Sequence, residues 1–373
     1  MVVDRPGASS GTPLGAVTLP GLMVSRLIQV LRAVSLQEVG IEGFGLVSLY
    51  GKMYDGWRVA LMSLWVLCHG FAAVKLIQII LHLFPACSSI GESLLVTTGL
   101  VIYLGDMLAY TVAKVSATSI SPKYISGILV FSFRLKKFCY QIDPWVFHFV
   151  FSEPLKRVTL CTYWMVVICL SVKRFYNTSK NSKTERILLR KYYHLMAVSI
   201  FVPALIYQPM FLNLALGAAL AVFLLMEIIR IWKIWPLGHV VHQFMNAFTD
   251  HRDSDLLIVS HFSLLLGCAL PIWLSSGFTD RPLASFAGIL SLGIGDTMVI
   301  TVEKTIEGTA AGITSVLAAC FVLLPLLAAT GYIFTMEWFP LIVAVTISGL
   351  LEAYTAQLDN AFIPLVFYSL LCL

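Results

Sequence analysis

Apolar residues run in long uninterrupted windows along most of the chain, and short polar stretches separate these windows. A helix needs about 20 mostly apolar residues to cross a bilayer, so each long window predicts one transmembrane helix. The predicted spans are residues 57–84, 93–115, 124–138, 155–172, 193–211, 212–230, 256–276, 283–301, 312–334, 338–354 and 358–373. Because the window 124–138 is short, the pattern predicts an all-α, polytopic helical membrane protein with about ten transmembrane helices.

Composition agrees with this pattern and excludes several classes of protein. The chain has 373 residues, of which 58% are apolar and 12% charged, and its mean hydropathy is +0.87. A soluble protein carries about 25% charged residues, so water-soluble domains, a disordered chain and a nucleic-acid binder are excluded. The eight cysteines include no C-x-x-C pair; within apolar windows they are typical of small buried side chains rather than of disulfides or metal ligands.

The windows divide the chain into four predicted parts. Residues 1–20 contain Gly, Pro and Ser and lack the apolar core of a cleaved signal peptide, so we expect a disordered N-terminus and insertion through an internal span. Residues 21–172 form an N-terminal transmembrane region. Residues 173–192 form a basic loop, and residues 193–373 form a second transmembrane region that holds the candidate chemistry.

The positive charge of the chain is concentrated in that loop. The formal net charge is +5, and residues 173–191 alone hold seven cations and one anion. Since Lys and Arg are retained on the cytosolic side of a membrane, we expect the loop to be cytosolic. Asn177 begins an N-x-S/T sequon there, and the cytosolic orientation predicts that it carries no glycan; a glycan on Asn177 would invert the orientation.

With the loop fixed in the cytosol, the later spans alternate in direction, and almost all ionisable residues fall at one membrane face. The opposite face receives only Asp280, Arg281 and Glu337. Charges at the edge of a span are costly without a partner or a ligand, so this asymmetry predicts a polar site that faces the cytosol. Its candidate members are Arg190, Lys191, His194, Glu227, Arg230, Asp250, Arg252, Asp253, Asp296, Lys304, Glu307, Glu352 and Asp359.

Asp296 is the most informative of these residues. It follows Gly293 and Gly295 inside an otherwise apolar window, where glycines let a backbone or a phosphate approach closely. The residue types favour a metal-ligating or proton-accepting carboxylate over a buried partner of an Arg or Lys. Lys304 and Glu307 follow shortly afterwards, and carboxylates for Mg²⁺ beside a lysine for phosphate are what phosphoryl transfer requires.

Two basic or mixed clusters have two open interpretations each. Arg190 and Lys191 share a helical stripe with His194, and the three residues are either a cytosolic anchor or a phosphate-binding group. The cluster 250–253 (D-H-R-D) is either a set of charges in a first helical turn or a site for a divalent metal or a substrate hydroxyl.

Two further groups have plain structural interpretations. Glu227 and Arg230 are spaced so that they can neutralise each other at the end of a span. Glu352 lies on a polar stripe with Thr355 and Asp359, and this stripe serves either interhelical hydrogen bonding or the site.

The second half of the chain resembles the polyprenol kinase family, whose members include the dolichol, phytol and farnesol kinases. The resemblance covers residues 186–370, about half of the chain. The sequence contains no soluble nucleotide-binding motif such as the Walker A loop, so a phosphotransferase here would not use a soluble nucleotide fold. The motifs that carry it are R-K-Y-Y-H-L (190–195), E-I-I-R (227–230), I-W-P-L-G (234–238), D-H-R-D-S (250–254), L-P-I-W-L (270–274), G-D-T-M (295–298), K-T-I-E-G-T (304–309) and L-L-E-A-Y-T-A-Q-L-D-N (350–360).

The resemblance implies a multi-pass enzyme of the endoplasmic reticulum membrane that uses CTP and Mg²⁺ to phosphorylate dolichol, supplying the lipid carrier for protein N-glycosylation. It carries the family's motif elements over onto Asp250, Arg252, Asp253, Asp296, Thr297, Lys304 and Glu307. On this basis we hypothesise catalytic roles for Asp250, Asp253, Asp296 and Glu307, with Mg²⁺ on Asp253 and Asp296. Nucleotide-binding roles are hypothesised for Arg190, Lys191, Arg252, Gly295, Thr297 and Lys304.

The chain departs from the family at one place. The resemblance implies a hydrophilic, basic, glycine-containing loop for CTP between G-D-T-M and K-T-x-E-G, but only five residues, 299–303, stand there. Three alternatives therefore remain open: a kinase or cytidylyltransferase with another lipid acceptor, a carrier for a solute, and a variant without catalytic activity.

Overall fold

The computed structural model describes residues 20–25, 28–29, 55–83, 149–179, 185–246, 259–275, 281–297, 305–329, 338–354 and 359–373, with single positions or short pieces between 90 and 105. Every regular element in these ranges is helical, and no strand occurs among them. The predicted all-α class is confirmed for the described part of the chain.

Most described helices overlap the apolar windows of the sequence, but α5 lies outside every window, and α2 and α3 extend into the predicted basic loop 173–192. In chain order they are α1 (Asp55–Leu83), α2 (Pro154–Ser179), α3 (Glu185–Tyr207), α4 (Pro209–Trp232), α5 (Gly238–Asn246), α6 (Val259–Ser275), a 3₁₀ turn (Pro282–Phe286) that leads into a π helix (Ile289–Asp296), α7 (Ile306–Ala329), α8 (Trp338–Tyr354) and α9 (Asp359–Cys372).

Three of these helices are long and apolar enough to cross a membrane: α2 over Pro154–Arg174, α4 and α7. Shorter apolar helices occupy Gly70–His82, Phe262–Ser275, Trp338–Tyr354 and Phe362–Cys372. The prediction of about ten spans is therefore not confirmed. The window 124–138 lies outside the described residues, and so does most of 93–115.

Several pairs of neighbouring helices run antiparallel, as alternating spans require. In the pair α2 and α3, Tyr163 donates a hydrogen bond to the carbonyl of Ser199 at 2.8 Å, and further along α2 Arg174 donates to the Tyr192 hydroxyl at 3.4 Å. Three further pairs show the same antiparallel order. The contacts are Asn213–Trp273 and Phe223–Phe262 between α4 and α6, Val198–Gly293 and His194–Asp296 between α3 and the π helix, and Ile313–Gly349 and Phe321–Trp338 between α7 and α8.

This alternation gives the bundle two distinct ends. The first residues of α3, α6, α7 and α9 lie at the same end as the last residues of α4, the π helix and α8. We call this end, which holds Lys191, His194, Asp296 and Glu352, the polar end. The core of the bundle lies between α6, the π helix and α9; its largest fully buried side chains include Leu270, Leu274, Leu283, Ile289, Phe362, Phe367 and Tyr368.

The opposite end has its own polar joint, where α2 begins and α3 passes into α4. The Gln208 amide donates to the Glu153 carboxylate at 2.7 Å, and this hydrogen bond lowers the pKa of that carboxyl. Nearby, the buried guanidinium of Arg157 lies 4.3 Å from the ring centre of Phe149 and 5.7 Å from that of Phe211. Cation–π contacts of this kind stabilise a charge that has lost water, so the joint fixes α2 against the α3–α4 pair.

Candidate functional site

The centre of the polar end is a contact between a histidine and an aspartate. His194 Nδ1 on α3 lies 2.7 Å from Asp296 Oδ2 at the end of the π helix. The His194 side chain is 1% exposed and that of Asp296 is 16% exposed. The contact is short but does not have the geometry of a regular hydrogen bond; such contacts often tighten only when a ligand is present.

Close helix packing brings these two side chains together. A side chain at Gly293 would overlap the Cγ2 methyl of Val198, so only glycine permits this distance between α3 and the π helix. Val198 lies one helical turn after His194, and Gly293 lies three residues before Asp296, so the glycine contact sets the separation of the pair.

A second carboxylate approaches from α8. A Cβ atom placed on Gly295 would lie 3.9 Å from Glu352 Oε2 and 3.4 Å from Val316 Cγ2 on α7. Glu352 is therefore packed beside the backbone that immediately precedes Asp296. One turn earlier on α8, Ser348 is 5% exposed, and its hydroxyl has no hydrogen-bond partner among the residues that the structure describes.

A lysine and a threonine complete the described part of the site. Lys191 lies one turn before His194 on α3 and is 7% exposed, which places both side chains on the buried face of that helix. Thr297 follows Asp296, and its buried hydroxyl finds no hydrogen-bond partner within the described ranges. The described part of the site thus comprises one buried lysine, one histidine, two carboxylates and two hydroxyls, carried by α3, the end of the π helix and α8.

The pair Glu227 and Arg230 on α4 has the neutralising arrangement that its spacing predicts. Arg230 Nε donates to Glu227 Oε2 at 2.9 Å, and Nη2 donates to Oε1 at 2.6 Å. Both residues are 3% exposed. A bidentate, charge-assisted pair of this kind is strong and geometrically fixed, which agrees with the structural interpretation of its spacing.

Several predicted site residues are not placed with this group. Glu307 lies in the first turn of α7 and is exposed, a position where a carboxylate suits the helix N-terminus. The backbone of Arg190 belongs to α3, but its side chain is outside the described set, as are Asp250, Arg252, Asp253 and Lys304. Their predicted convergence with Asp296 stays a prediction.

The sequence pattern alone assigns no catalytic role to His194 or Glu352, which the structure places beside Asp296 and the Gly295 backbone. His194 shares a helical stripe with Lys191, a spacing signal that also fits an interfacial anchor. Glu352 shares a stripe with Thr355 and Asp359, which equally fits interhelical hydrogen bonding. Neither spacing identifies a partner on another helix; the fold supplies the partners, Asp296 and the backbone at Gly295.

Comparison with known proteins gives the same family in two ways. The sequence profile of the family described as "Dolichol kinase" matches residues 123–272. Dolichol kinase EVAN of Arabidopsis thaliana is 48% identical over an aligned stretch of 506 residues, which covers 99% of this chain and 89% of the relative. Dolichol kinase of Homo sapiens is 29% identical over 365 residues, covering 80% of this chain and 67% of the relative. No solved structure matches the chain.

The alignment with the Arabidopsis relative also shows a difference in length within the aligned region. The stretch aligned with the Arabidopsis relative is 506 residues long, whereas the whole chain has 373. The relative therefore has segments within the aligned stretch that have no counterpart here. The sequence predicts that one of these segments is missing at the short connection of residues 299–303.

Proposed function

Because the chain belongs to the dolichol kinase family, we propose that it transfers the γ-phosphoryl group of CTP to the terminal hydroxyl of dolichol. Kinases transfer phosphoryl groups, so the residues of this chain have to bind phosphates and stabilise their charge. The observation that carries the proposal is the polar end, where Lys191, His194, Asp296 and Glu352 gather in an otherwise apolar bundle. Such a cluster provides cations for phosphates and carboxylates for a metal or a proton.

In the proposed reaction the alcohol oxygen forms a bond to the γ-phosphorus while the bond from that phosphorus to the β–γ bridging oxygen breaks. CDP leaves, and the alcohol proton passes to a carboxylate, for which Asp250 and Glu307 are the candidates. Arg252 and Lys304 would hold the charge of the transferring group, since phosphoryl transfer depends mainly on positioning and charge stabilisation.

The remaining candidates would bind the nucleotide before transfer. Arg190 offers a guanidinium that pairs with two phosphate oxygens, and Lys191 offers a point charge. The Thr297 hydroxyl has no hydrogen-bond partner among the described residues and would donate to a phosphate oxygen. Gly295 carries no side chain, which leaves room for a ligand beside Asp296.

The donor set also fits Mg²⁺. This ion binds through one or two carboxylates and completes its shell with substrate phosphates and water, and no group of three or more metal-ligating side chains occurs in the described ranges. Asp296 and Asp253 would hold it, and Glu352 lies beside the Gly295 backbone that precedes Asp296. When bound, Mg²⁺ neutralises phosphate charge.

The membrane is part of the proposed site. Dolichol is an isoprenoid alcohol, so its tail would lie in the bilayer among the apolar helices while only the hydroxyl reaches the polar end. CTP is soluble, so the polar end would face the cytosol, on the side of the basic loop. We place the enzyme in the endoplasmic reticulum membrane, where dolichyl phosphate is the carrier for N-glycosylation; no nucleic acid takes part.

A second candidate is a variant with impaired catalysis. One observation favours it, namely the five-residue connection 299–303 in place of the family's CTP loop. Under this alternative the chain folds and inserts but binds CTP weakly.

A kinase of phytol, farnesol or another isoprenoid alcohol would keep the same polar end and would differ only in the apolar part of the protein that holds the isoprenoid tail.

Complementation of a cell that lacks dolichol kinase tests the proposal. Expression of this chain should restore growth and N-glycosylation of a secreted reporter protein. The Arabidopsis relative, expressed in the same cell, is the positive control. If the chain is expressed and inserted in the membrane but restores neither, while the control restores both, the proposed activity is wrong. Labelled CTP with a panel of dolichol, phytol and farnesol then separates the acceptors.

A further inference from the structure

The contact between His194 and Asp296 leaves the two oxygens of the aspartate in different surroundings. His194 Nδ1 and Asp296 Oδ2 are both inaccessible to solvent and lie 2.7 Å apart. The Asp296 side chain is nevertheless 16% exposed. Oδ2 contributes none of this exposure, so the exposed part of the side chain lies among its other atoms, which include the second carboxylate oxygen, Oδ1.

The packing around the pair leaves little freedom for this arrangement to change. Val198, one turn from His194, fills the space over Gly293, so α3 cannot slide along the π helix without a clash. On the other side of the π helix, Val316 of α7 and Glu352 of α8 pack against Gly295. Three helices therefore hold the backbone on which Asp296 stands, and His194 holds its side chain.

We propose that His194 is a positioning residue for Asp296, whose Nδ1 atom turns Oδ2 inward so that Oδ1 points to the phosphate and metal side of the polar end. The inference rests on the proposed function for the identity of that ligand. A histidine that orients a ligating carboxylate or is oriented by one is a common outer partner of metal sites, and its loss costs about 10- to 100-fold in affinity or activity.

A role limited to packing makes a different prediction. If His194 only filled space, glutamine would replace it better than asparagine, because glutamine is closer to histidine in volume. If His194 acts through Nδ1, asparagine is the better replacement, because its amide nitrogen occupies the position of Nδ1, whereas that of glutamine occupies the position of Nε2. The two substitutions therefore separate the roles.

The experiment uses the full chain purified in lipid nanodiscs, with His194→Asn, His194→Gln and His194→Ala. Two quantities are measured: Mn²⁺ binding by electron paramagnetic resonance without CTP or dolichol, and kcat and KM for CTP with dolichol as acceptor. The exposed His239 on α5 supplies a matched control, His239→Gln. Size-exclusion profiles confirm that each variant folds.

His194→Gln and His194→Ala should weaken Mn²⁺ binding and lower kcat by about 10- to 100-fold, with a smaller change in KM for CTP. His194→Asn should recover most of both, and His239→Gln should match the wild type. Equal values for the Asn and Gln variants, or a wild-type chain that binds no Mn²⁺, would overturn the inference. A wild type that binds Mn²⁺ but transfers no phosphoryl group would defeat only the proposed function, because the Mn²⁺ series still tests His194.

Discussion

Two buried ionisable pairs in the bundle differ in how completely each partner is enclosed. Glu227 and Arg230 form a bidentate pair in which both residues are 3% exposed. His194 and Asp296 meet through one atom each, and the aspartate keeps 16% of its side chain exposed. A bidentate buried pair neutralises a charge within an apolar helix, whereas an aspartate that keeps part of its side chain exposed can be reached from outside the bundle. This difference is why we assign structure to the first and chemistry to the second.

Removing one member of the bidentate pair should destabilise the protein strongly. In Glu227→Gln the Arg230 guanidinium stays buried without its countercharge, and such a change costs about 3–5 kcal/mol of unfolding free energy. Thermal and denaturant unfolding in detergent micelles measures it.

The exposed Glu307 gives the matched control, since Glu307→Gln should change the unfolding free energy little. The double variant Glu227→Leu with Arg230→Leu should be far milder than Glu227→Gln alone, because a buried pair replaced by apolar residues is often neutral. Unfolding of Glu227→Gln at the wild-type midpoint would contradict the role assigned to the pair.

At the scale of elements, the site depends on the π helix Ile289–Asp296. Single turns of π helix are rare and occur mainly at functional sites. Here the element ends at Asp296, and Gly293 and Gly295 within it allow α3 and α7 to pack against its backbone. The π helix is therefore the part that brings the Asp296 carboxylate to His194 and the Gly295 backbone to Glu352.

Filling the space at Gly293 should disturb the site through this element. Gly293→Ala places a methyl group where Val198 Cγ2 lies, and overpacking of this kind costs about 1–3 kcal/mol. We expect a lower unfolding midpoint and reduced kinase activity, because α3 moves away from the π helix.

Gly217→Ala on α4 is the control, since nothing lies within 4 Å of the added Cβ and alanine is the better helix former by about 1 kcal/mol. Adding Val198→Ala to Gly293→Ala should restore much of the loss. Wild-type stability and activity in Gly293→Ala would show that this contact does not hold the site.

The sequence predicts some of these elements and not others, because hydropathy reveals an apolar helix but not the type of helix or its partner. The window 338–354 coincides with α8, the window 212–230 lies within α4, and the window 155–172 lies within α2, which continues to Ser179 in the predicted basic loop. Hydropathy marks an apolar helix directly but not a polar continuation of it. Hydropathy does not distinguish an α from a π helix, so the element that carries Asp296 is apparent only in the structure. The pairing of His194 with Asp296 depends on the register of two helices about 100 residues apart, which no local pattern contains.

At the scale of the whole molecule, the antiparallel order of the helices produces a chemical asymmetry. Alternation alone predicted that the charges of the second half would meet at one end, and Lys191, His194, Asp296 and Glu352 do so. The outer faces of α2 and α4 carry exposed apolar side chains, including Leu155, Met165, Leu170, Val222 and Leu225, as a lipid-facing surface requires. A bundle of this kind can hold a lipid alcohol from the bilayer and a soluble triphosphate from one side.

The most direct measurement of this account is the transfer of label from [γ-³²P]CTP to dolichol by the purified chain in lipid nanodiscs, with Asp296→Asn as the matched control. We predict that the wild type forms labelled dolichyl phosphate and that Asp296→Asn forms none, because an amide cannot supply the negatively charged oxygen that the proposed metal site needs. The variant should still insert into the membrane and fold normally. Equal labelling by both proteins would remove Asp296 from the mechanism, and a folded wild type that forms no labelled product at saturating CTP would contradict the proposed activity itself.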